Sequence, residues 1–496
     1  MTESSKNVEN TQSASYETLD PQDWSKMRSL AHQMIDDTFD LVQNIRQDPV
    51  WRPIPQEIRK KIDESVPLDP EAPEKVYEDF KELIMPYHMG CIHPRFWAWY
   101  MGGGTVMGAL GDYLTSMITS NVGGGNHIGP ELESQVIKWM LEVTSYPEDA
   151  SGILVSGGSM ANYIGLAVAR HEKSINDIRQ EGLVQAGVQY AVYASTEVHS
   201  CNQKAVELLG IGAEFLRKIR VNADFTINLA ELKKQITQDR QEGIIPICII
   251  GSAGTVNTGA VDDLQALADI AEAEDMWFHV DGAIGGIAMI ADKVRPQLKG
   301  IERSDSLAID LHKWLHIPFE AGCVLIQNRS LHHETFALIP DYLAPNKEGL
   351  ASGKIWYSEY GLQLSRRMRA LKIWMSVKEH GMAKFGRMID RNVDQAHYLG
   401  QLVADQPSLQ LMAPIGMDIV CFQYIKRGLS QEEMNELNRN ILIRLQEEGH
   451  AAPSYTTLRG SYCIRVAIAN HRSQLSDFDY LIEKVIEIGD RLSHIE

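Results

Sequence analysis

Residues 306–325, SLAIDLHKWLHIPFEAGCVL, set Asp310, His312 and Lys313 inside an otherwise apolar run. Lysine is rarely buried unless it is paired or chemically used. At a strand end, burial and nearby cations lower its amine pKa and suit it to Schiff-base chemistry. Asp281 lies 32 residues earlier, closing the apolar run of HVDGA (279–283). A carboxylate there needs a cation or several donors. No metal-ligand cluster surrounds it, so the cation expected is a protonated ring nitrogen. SGGSMAN (156–162) puts Gly157, Gly158 and Ser159 between a strand and a helix. Backbone amides and the helix N-terminus can cradle a phosphate there. No GK[ST] follows, so this is not a Walker loop. EVHSCNQKA (197–205) adds His199, whose ring can stack on a planar cofactor, and AGTVNTGAVDD adds Thr255 and Asn257.

Singly, each has a plainer reading: a snorkelling lysine, a helix-capping Asp, a Gly-rich turn, a core histidine. Together, in this order, they meet the needs of pyridoxal 5'-phosphate (PLP). That cofactor requires a phosphate anchor, a partner for its pyridinium nitrogen and a lysine for its aldehyde. No metal is expected.

The elements that must position these residues follow from the patterning. Beyond about residue 90, short β-rich runs (GILVS, QYAVYAS, IIPICII, MWFHV, SLAI, GCVLI) alternate with helical stretches. This predicts an α/β domain over 91–378 with a mostly parallel, seven-stranded sheet. Ligands in such sheets bind at the carboxyl ends of strands, where SGGS, DGA and DLHK all fall. Residues 16–90 read as a Pro-punctuated helical arm that makes little core alone. Residues 379–496 read as a small α+β domain, and the polar residues 1–15 as a disordered leader without a signal core.

Composition narrows the class. The chain has 496 residues, 44% of them hydrophobic, with a net charge of -19. That charge argues against nucleic-acid binding, which relies on clustered Lys and Arg. No run is long and apolar enough to span a membrane. The six cysteines show no CxxC spacing, which signals neither zinc nor a disulfide framework. A cytoplasmic protein with reduced thiols is expected.

SGGSMAN, EVHSCNQKA, GTVNTGAVDDL, WFHVDGA and DLHKW, with HPRFWAW (93–99), SRRMRALKIW (365–374) and IRVAIANHRS (464–473), resemble in order the group II PLP-dependent amino-acid decarboxylases. These are the relatives of aromatic-L-amino-acid and glutamate decarboxylase, and the resemblance is nearest to a bacterial-type branch. It covers the chain from about residue 20 to its end. It implies a fold type I (aspartate-aminotransferase-like) enzyme working as a homodimer with sites at the subunit interface and the helical arm around its partner. Lys313 matches the Schiff-base lysine, Asp281 the pyridinium partner, and His199 the ring-stacking histidine. Gly158 and Ser159 match phosphate-loop positions, and His312 the histidine before the lysine. Tyr357, with Tyr360 as the alternative register, falls where the family has a loop tyrosine that protonates the product. Asp310 stands where the aromatic-acid enzymes carry a phosphate-holding Asn. It is expected to turn away, or to bond through a neutral form or water.

The implied reaction is decarboxylation of an L-amino acid to its amine and carbon dioxide. Phe96, Trp97, Trp99 and Tyr100 suggest an aromatic substrate, although core or interface packing explains them equally well. Acidic or diamino substrates, aminotransferase or aldehyde-synthase chemistry, and a catalytically dead dimer are the alternatives. The last is disfavoured by the intact Lys313, Asp281 and His199.

Overall fold

The computed structural model describes residues 17–185, 187–338 and 346–493. The leader expected over residues 1–15 lies outside them. The chain divides into two units. One holds the described residues up to Gln47 together with Ile54–His88; the other holds Asp48–Pro53 and everything from Met89 onward.

The first unit is helical. Helix α1 (Trp24–Asn44) starts at Asp23, whose carboxylate accepts from Ser25 N at 2.9 Å and Lys26 N at 3.0 Å. Such a cap satisfies amides that have no partner within the helix. Helices α2 (Gln56–Ile62) and α3 (Pro73–Asp79) follow, α3 with Pro73 in its first turn, where no N–H is needed. Tyr77 bonds Asp37 at 2.8 Å. Yet Trp24, Ile62, Val66, Leu68 and Val76 remain exposed.

The second unit is built on two sheets. A two-residue strand, β1 (Phe96–Trp97), precedes helices α4 (Val106–Ile118) and α5 (Ile128–Thr144). Strand β2 (Ser151–Val155) leads into helix α6 (Gly158–Lys173). Then come β3 (Tyr190–Ser195), β4 (Leu216–Ile219), β5 (Ile245–Ser252), β6 (Trp277–Asp281), β7 (Ser306–Asp310) and β8 (Gly322–Ile326). Strands β2 to β8 form one seven-stranded sheet in the order β2-β8-β7-β6-β5-β3-β4. Only β8 runs against the others. The strands are almost wholly buried because helices cover both faces, hence the unbroken apolar runs in the sequence.

Register sets up the site. Ser252 pairs with Asp281, and Asp281 with Ala308, so the carboxyl ends of β5, β6 and β7 lie side by side. Asp310 pairs with Gly322 at the start of β8, and Gly322 in turn with Val155 at the end of β2. The 311–321 connection is therefore held at the same edge as the 156–159 loop. A Cβ on Gly322 would sit 2.6 Å from the Gly157 backbone, so glycine is what lets the two segments meet.

Strands β9 (Leu409–Leu411), β10 (Ile419–Tyr424), β11 (Ala452–Leu458) and β12 (Ser461–Ala467) form a five-stranded sheet with β1, ordered β1-β11-β12-β10-β9. Trp97 packs there, stacking on Phe478 at 5.0 Å. The sequence places 96–97 with the large domain; in the structure they pair with β11, because Phe96 and Trp97 find their apolar partners in the C-terminal layer. Among the described residues, no helix is long and apolar enough to cross a membrane.

Candidate active site

A cleft of about 720 Å³ opens at the carboxyl edge of the large sheet. Gly157, Gly158, Ser159, His199, Thr255, Asp281, Asp310, His312 and Lys313, named from sequence, all line it, as does Asn257.

Lys313 follows β7 by one short turn, and its Nζ lies 2.9 Å from Asp310 Oδ2. The other Asp310 oxygen, Oδ1, accepts from the Gly158 amide at 2.5 Å, at the start of α6. The expectation that Asp310 turns away is therefore overturned. Lys313 and the Gly158 N–H draw its carboxylate into the glycine cradle. His312 is buried beside them, its Nδ1 2.9 Å from the Ala321 carbonyl oxygen and its ring 4.5 Å from that of Phe319. Burial holds its pKa below the usual imidazole value, against the pull of Asp310.

Asp281 is braced from behind. Asn202 donates to its Oδ2 at 2.8 Å, and Ala283 N to its Oδ1 at 3.3 Å. Two residues back on β6, the buried His279 bonds Asn162 Oδ1 and Ser306 Oγ, each at 2.7 Å. Burial pushes that imidazole down to about 4, leaving it a neutral prop. These contacts leave the outer side of the Asp281 carboxylate to the cleft, suited to a protonated nitrogen.

His199 caps the helix Ser200–Leu208, its Nδ1 accepting from Cys201 N at 3.2 Å. A neutral ring bonded in that way carries its hydrogen on Nε2. Burial lowers its pKa; Asp281 opposes this and Lys313 adds to it. Thr255 is held in its turn by N–H donation to Ala260 O at 2.8 Å.

Tyr357 does not join this group. It is buried outside the cleft, lining a smaller cavity with Ser134, Arg329 and Tyr360. Its ring lies over the Arg366 guanidinium at 5.1 Å. Burial pushes its hydroxyl pKa above the ordinary value, a poor setting for a proton donor. Tyr360 sits in the same cavity, so neither register brings a tyrosine of this segment to Lys313 within one chain. Of the aromatic residues near position 96, Trp99 and Tyr100 line the cleft, while Phe96 and Trp97 pack elsewhere.

Sequence reasoning missed Arg465 and Glu197. Arg465 is buried, with Nε donating to Asn257 O at 3.1 Å and Nη1 to Ser454 Oγ at 3.0 Å. Its Nη2 has no partner among the described residues. Glu197 accepts from Asn257 Nδ2 at 2.9 Å, and Thr456 donates to Asn257 Oδ1 at 2.8 Å. The buried side chain of Arg465 within the apolar run YCIRVAIA is the signal that would have found it. Among the described residues, no group of three or more His, Cys, Asp or Glu is arranged to hold a metal.

The donor set fits pyridoxal phosphate: an anion cradle, a carboxylate, an imidazole face and an amine share one cleft of suitable size. Comparisons with known proteins agree. A family model described as the pyridoxal-dependent decarboxylase conserved domain matches residues 55–425. An aromatic-L-amino-acid decarboxylase of Bacillus atrophaeus is 33% identical over 94% of this chain and 96% of its own. The solved structure of Catharanthus roseus tryptophan decarboxylase in complex with L-tryptophan superposes with a TM-score of 0.85 at 25% identity, covering 95% of this chain and 100% of that one. Oryza sativa TDC with PLP and tryptamine gives a TM-score of 0.88 at 23% identity, covering 96% and 100%, a likeness of fold.

Proposed function

The chain belongs to the pyridoxal-dependent decarboxylase family, and from that premise we propose that it decarboxylates an aromatic L-amino acid to the corresponding amine and carbon dioxide. The observation that carries this reading is the cleft wall. Trp99, Tyr100 and Tyr455 line the same cleft as Lys313, Asp281 and His199. Rings on that wall suit an aromatic side chain.

When bound, pyridoxal phosphate links covalently to amines and draws off the electron pair that a departing carboxylate leaves behind. The residues divide the remaining work. Lys313 offers the amine that anchors the cofactor and is regenerated as product leaves. Asp281, held by Asn202, keeps a proton on the ring nitrogen and so preserves its electron-withdrawing power. The His199 imidazole would support the cofactor's ring, and Gly157, Gly158 and Ser159 would hold the phosphate, with Thr255 and His312 shaping the pocket. In the reaction the bond from Cα to the carboxylate breaks, carbon dioxide leaves, and a proton is delivered to Cα.

We assign the chain to a homodimer. Val106, Tyr113, Leu114, Met117 and Ile118 form an exposed apolar stripe on α4, and Phe319, which touches His312, is exposed as well. An apolar stripe of this kind marks an association surface. The division into arm (16–90), large domain (91–378) and small domain (379–496) is the organisation we favour, with the arm's exposed Trp24 and Leu68 covered by the partner. Six free cysteines, five of them buried, suit the cytoplasm.

Arg465 favours a second reading. A buried guanidinium with an unpaired N–H in the cleft wall could hold the side-chain carboxylate of an acidic substrate. One screen separates the two: carbon dioxide and amine release from cofactor-loaded protein offered tyrosine, tryptophan, phenylalanine, glutamate, aspartate and diaminobutyrate. Turnover of an aromatic amino acid well above the rest is expected. Turnover confined to acidic or diamino substrates overturns the aromatic assignment.

A further inference from the structure

Asp310 holds the two groups that the cofactor itself needs. Its Oδ1 accepts from the Gly158 N–H at the head of the phosphate cradle, and its Oδ2 pairs with Lys313 Nζ. The carboxylate is buried, and a Cβ on Gly158 would meet Asp310 Oδ2 at 2.8 Å, so only glycine at 158 lets it come this close to the cradle. Resting on the reading that this cleft takes pyridoxal phosphate, we propose that Asp310 competes with the phosphate group for the cradle. Cofactor binding is then coupled to proton uptake, which makes the cofactor exchangeable and its hold weaker as pH rises.

The physical case is a contest between anions. A phosphate monoester takes on its second negative charge with a pKa of about 6. At a helix N-terminus alone, that added charge tightens binding. Here a carboxylate already accepts from one of the amides, and its other partner is the lysine that must serve the cofactor. Beside that carboxylate, the phosphate's second negative charge is repelled, so the singly charged form is the one the cradle takes best. The titratable groups facing it do not remove the conflict. On its own turn are Lys313 and His312, the latter 3.8 Å away. His199, just past the end of β3, also faces it, with Asp281 acting on that imidazole, while Glu320, before β8, is paired with Arg369 at 2.7 Å. The first turn of α6, Gly158–Ala161, has no titratable side chain to offer.

The test compares pyridoxal phosphate with pyridoxal, which carries the same aldehyde and ring but no phosphate. Dissociation constants for both are measured on the full-length chain and on Asp310→Asn from pH 5.5 to 8, by equilibrium dialysis. The pyridoxal series cancels pH effects on Lys313 chemistry. In the wild type, the phosphate's contribution (the ratio of the two constants) is expected to fall as pH rises. In Asp310→Asn it should not fall, and pyridoxal phosphate should bind roughly tenfold more tightly at pH 8, the effect of one pK unit of like-charge interaction. Any change in pyridoxal affinity reports the altered Lys313, and the ratio removes it. A wild-type ratio that is flat or rises with pH overturns the proposal, as does an unchanged ratio in the variant. If Asp310→Asn fails to fold, the wild-type pH series decides alone. If neither ligand binds the wild type, the cofactor reading itself fails, a result distinct from failure of the Asp310 inference.

Discussion

Arg366→Met tests whether a single buried ion pair holds the cofactor loop in place. Arg366 meets Glu133 of α5 through two bonds, Nη2 to Oε1 at 2.6 Å and Nη1 to Oε2 at 3.1 Å, with both side chains buried. The same guanidinium donates to Val122 O at 3.1 Å and Leu154 O at 2.6 Å, while Glu133 Oε1 accepts from Leu154 N at 2.9 Å. Leu154 is the second-last residue of β2, which feeds the Gly157–Ser159 cradle. Removing the arginine leaves a buried carboxylate with one donor and two carbonyls without partners. Breaking a buried pair in this way costs about 3–5 kcal/mol. An unfolding entropy of roughly 2 cal/mol/K per residue gives about 1 kcal/mol/K for 496 residues, so the melting temperature should drop by roughly 3–5 °C. Calorimetry on cofactor-saturated protein measures it. Lys293→Ala, which breaks an exposed pair with Asp394, is the control and should shift melting by no more than about 0.5 °C. Adding Glu133→Gln to Arg366→Met removes the stranded charge but keeps an acceptor for Leu154, so part of the loss should return. The reasoning fails if Arg366→Met melts like Lys293→Ala, or if the double variant is no more stable than the single one.

Three further outcomes are expected. Lys313→Ala should abolish turnover, and borohydride treatment should no longer fix cofactor mass to the protein; retention of either would remove Lys313 from its role. Tyr357→Phe should leave the ratio of amine to aldehyde products unchanged and lower melting by about 1 °C, since only the buried hydroxyl's bond with Ser134 is lost; a changed product ratio would restore Tyr357 to the chemistry. Asp418 is buried and its carboxyl is pushed up to about 7, with Tyr100 donating to it at 2.8 Å. A folded pKa above the unfolded one means that stability present in acid is lost as pH rises toward 7. Asp418→Asn should therefore gain about 3 kcal/mol more over the wild type at pH 8 than at pH 5, read as melting temperature against pH; equal gains at both pH values would contradict this.

Lys313 and Asp281 were legible because each interrupts or ends an apolar run, and His199 because it follows one closely; in a parallel sheet the ends of such runs are the binding edge. Local sequence carries that information. Arg465 and Asn202 were not legible as site residues, because what makes them so is contact with segments far off in the chain: Arg465 reaches Asn257 and Ser454, and Asn202 reaches Asp281. Tyr357 misled for the same reason. The family resemblance sets a loop tyrosine in its segment, SGKIWYSEYG. What buries the ring is Arg366 beneath it, itself pinned by Glu133, which lies more than two hundred residues earlier in the chain. Asp310 is the instructive middle case. The sequence identifies its oddity, a carboxylate where a phosphate must come close, and charge repulsion alone says that it should turn away. Repulsion acts only between the carboxylate and the ligand. The structure adds the donors: Lys313 three residues on, and a glycine amide brought alongside by the β7–β8–β2 register. With two donors in reach, facing the cradle is the lower-energy choice for that side chain, and the repulsion becomes a cost that any phosphate must meet on entering.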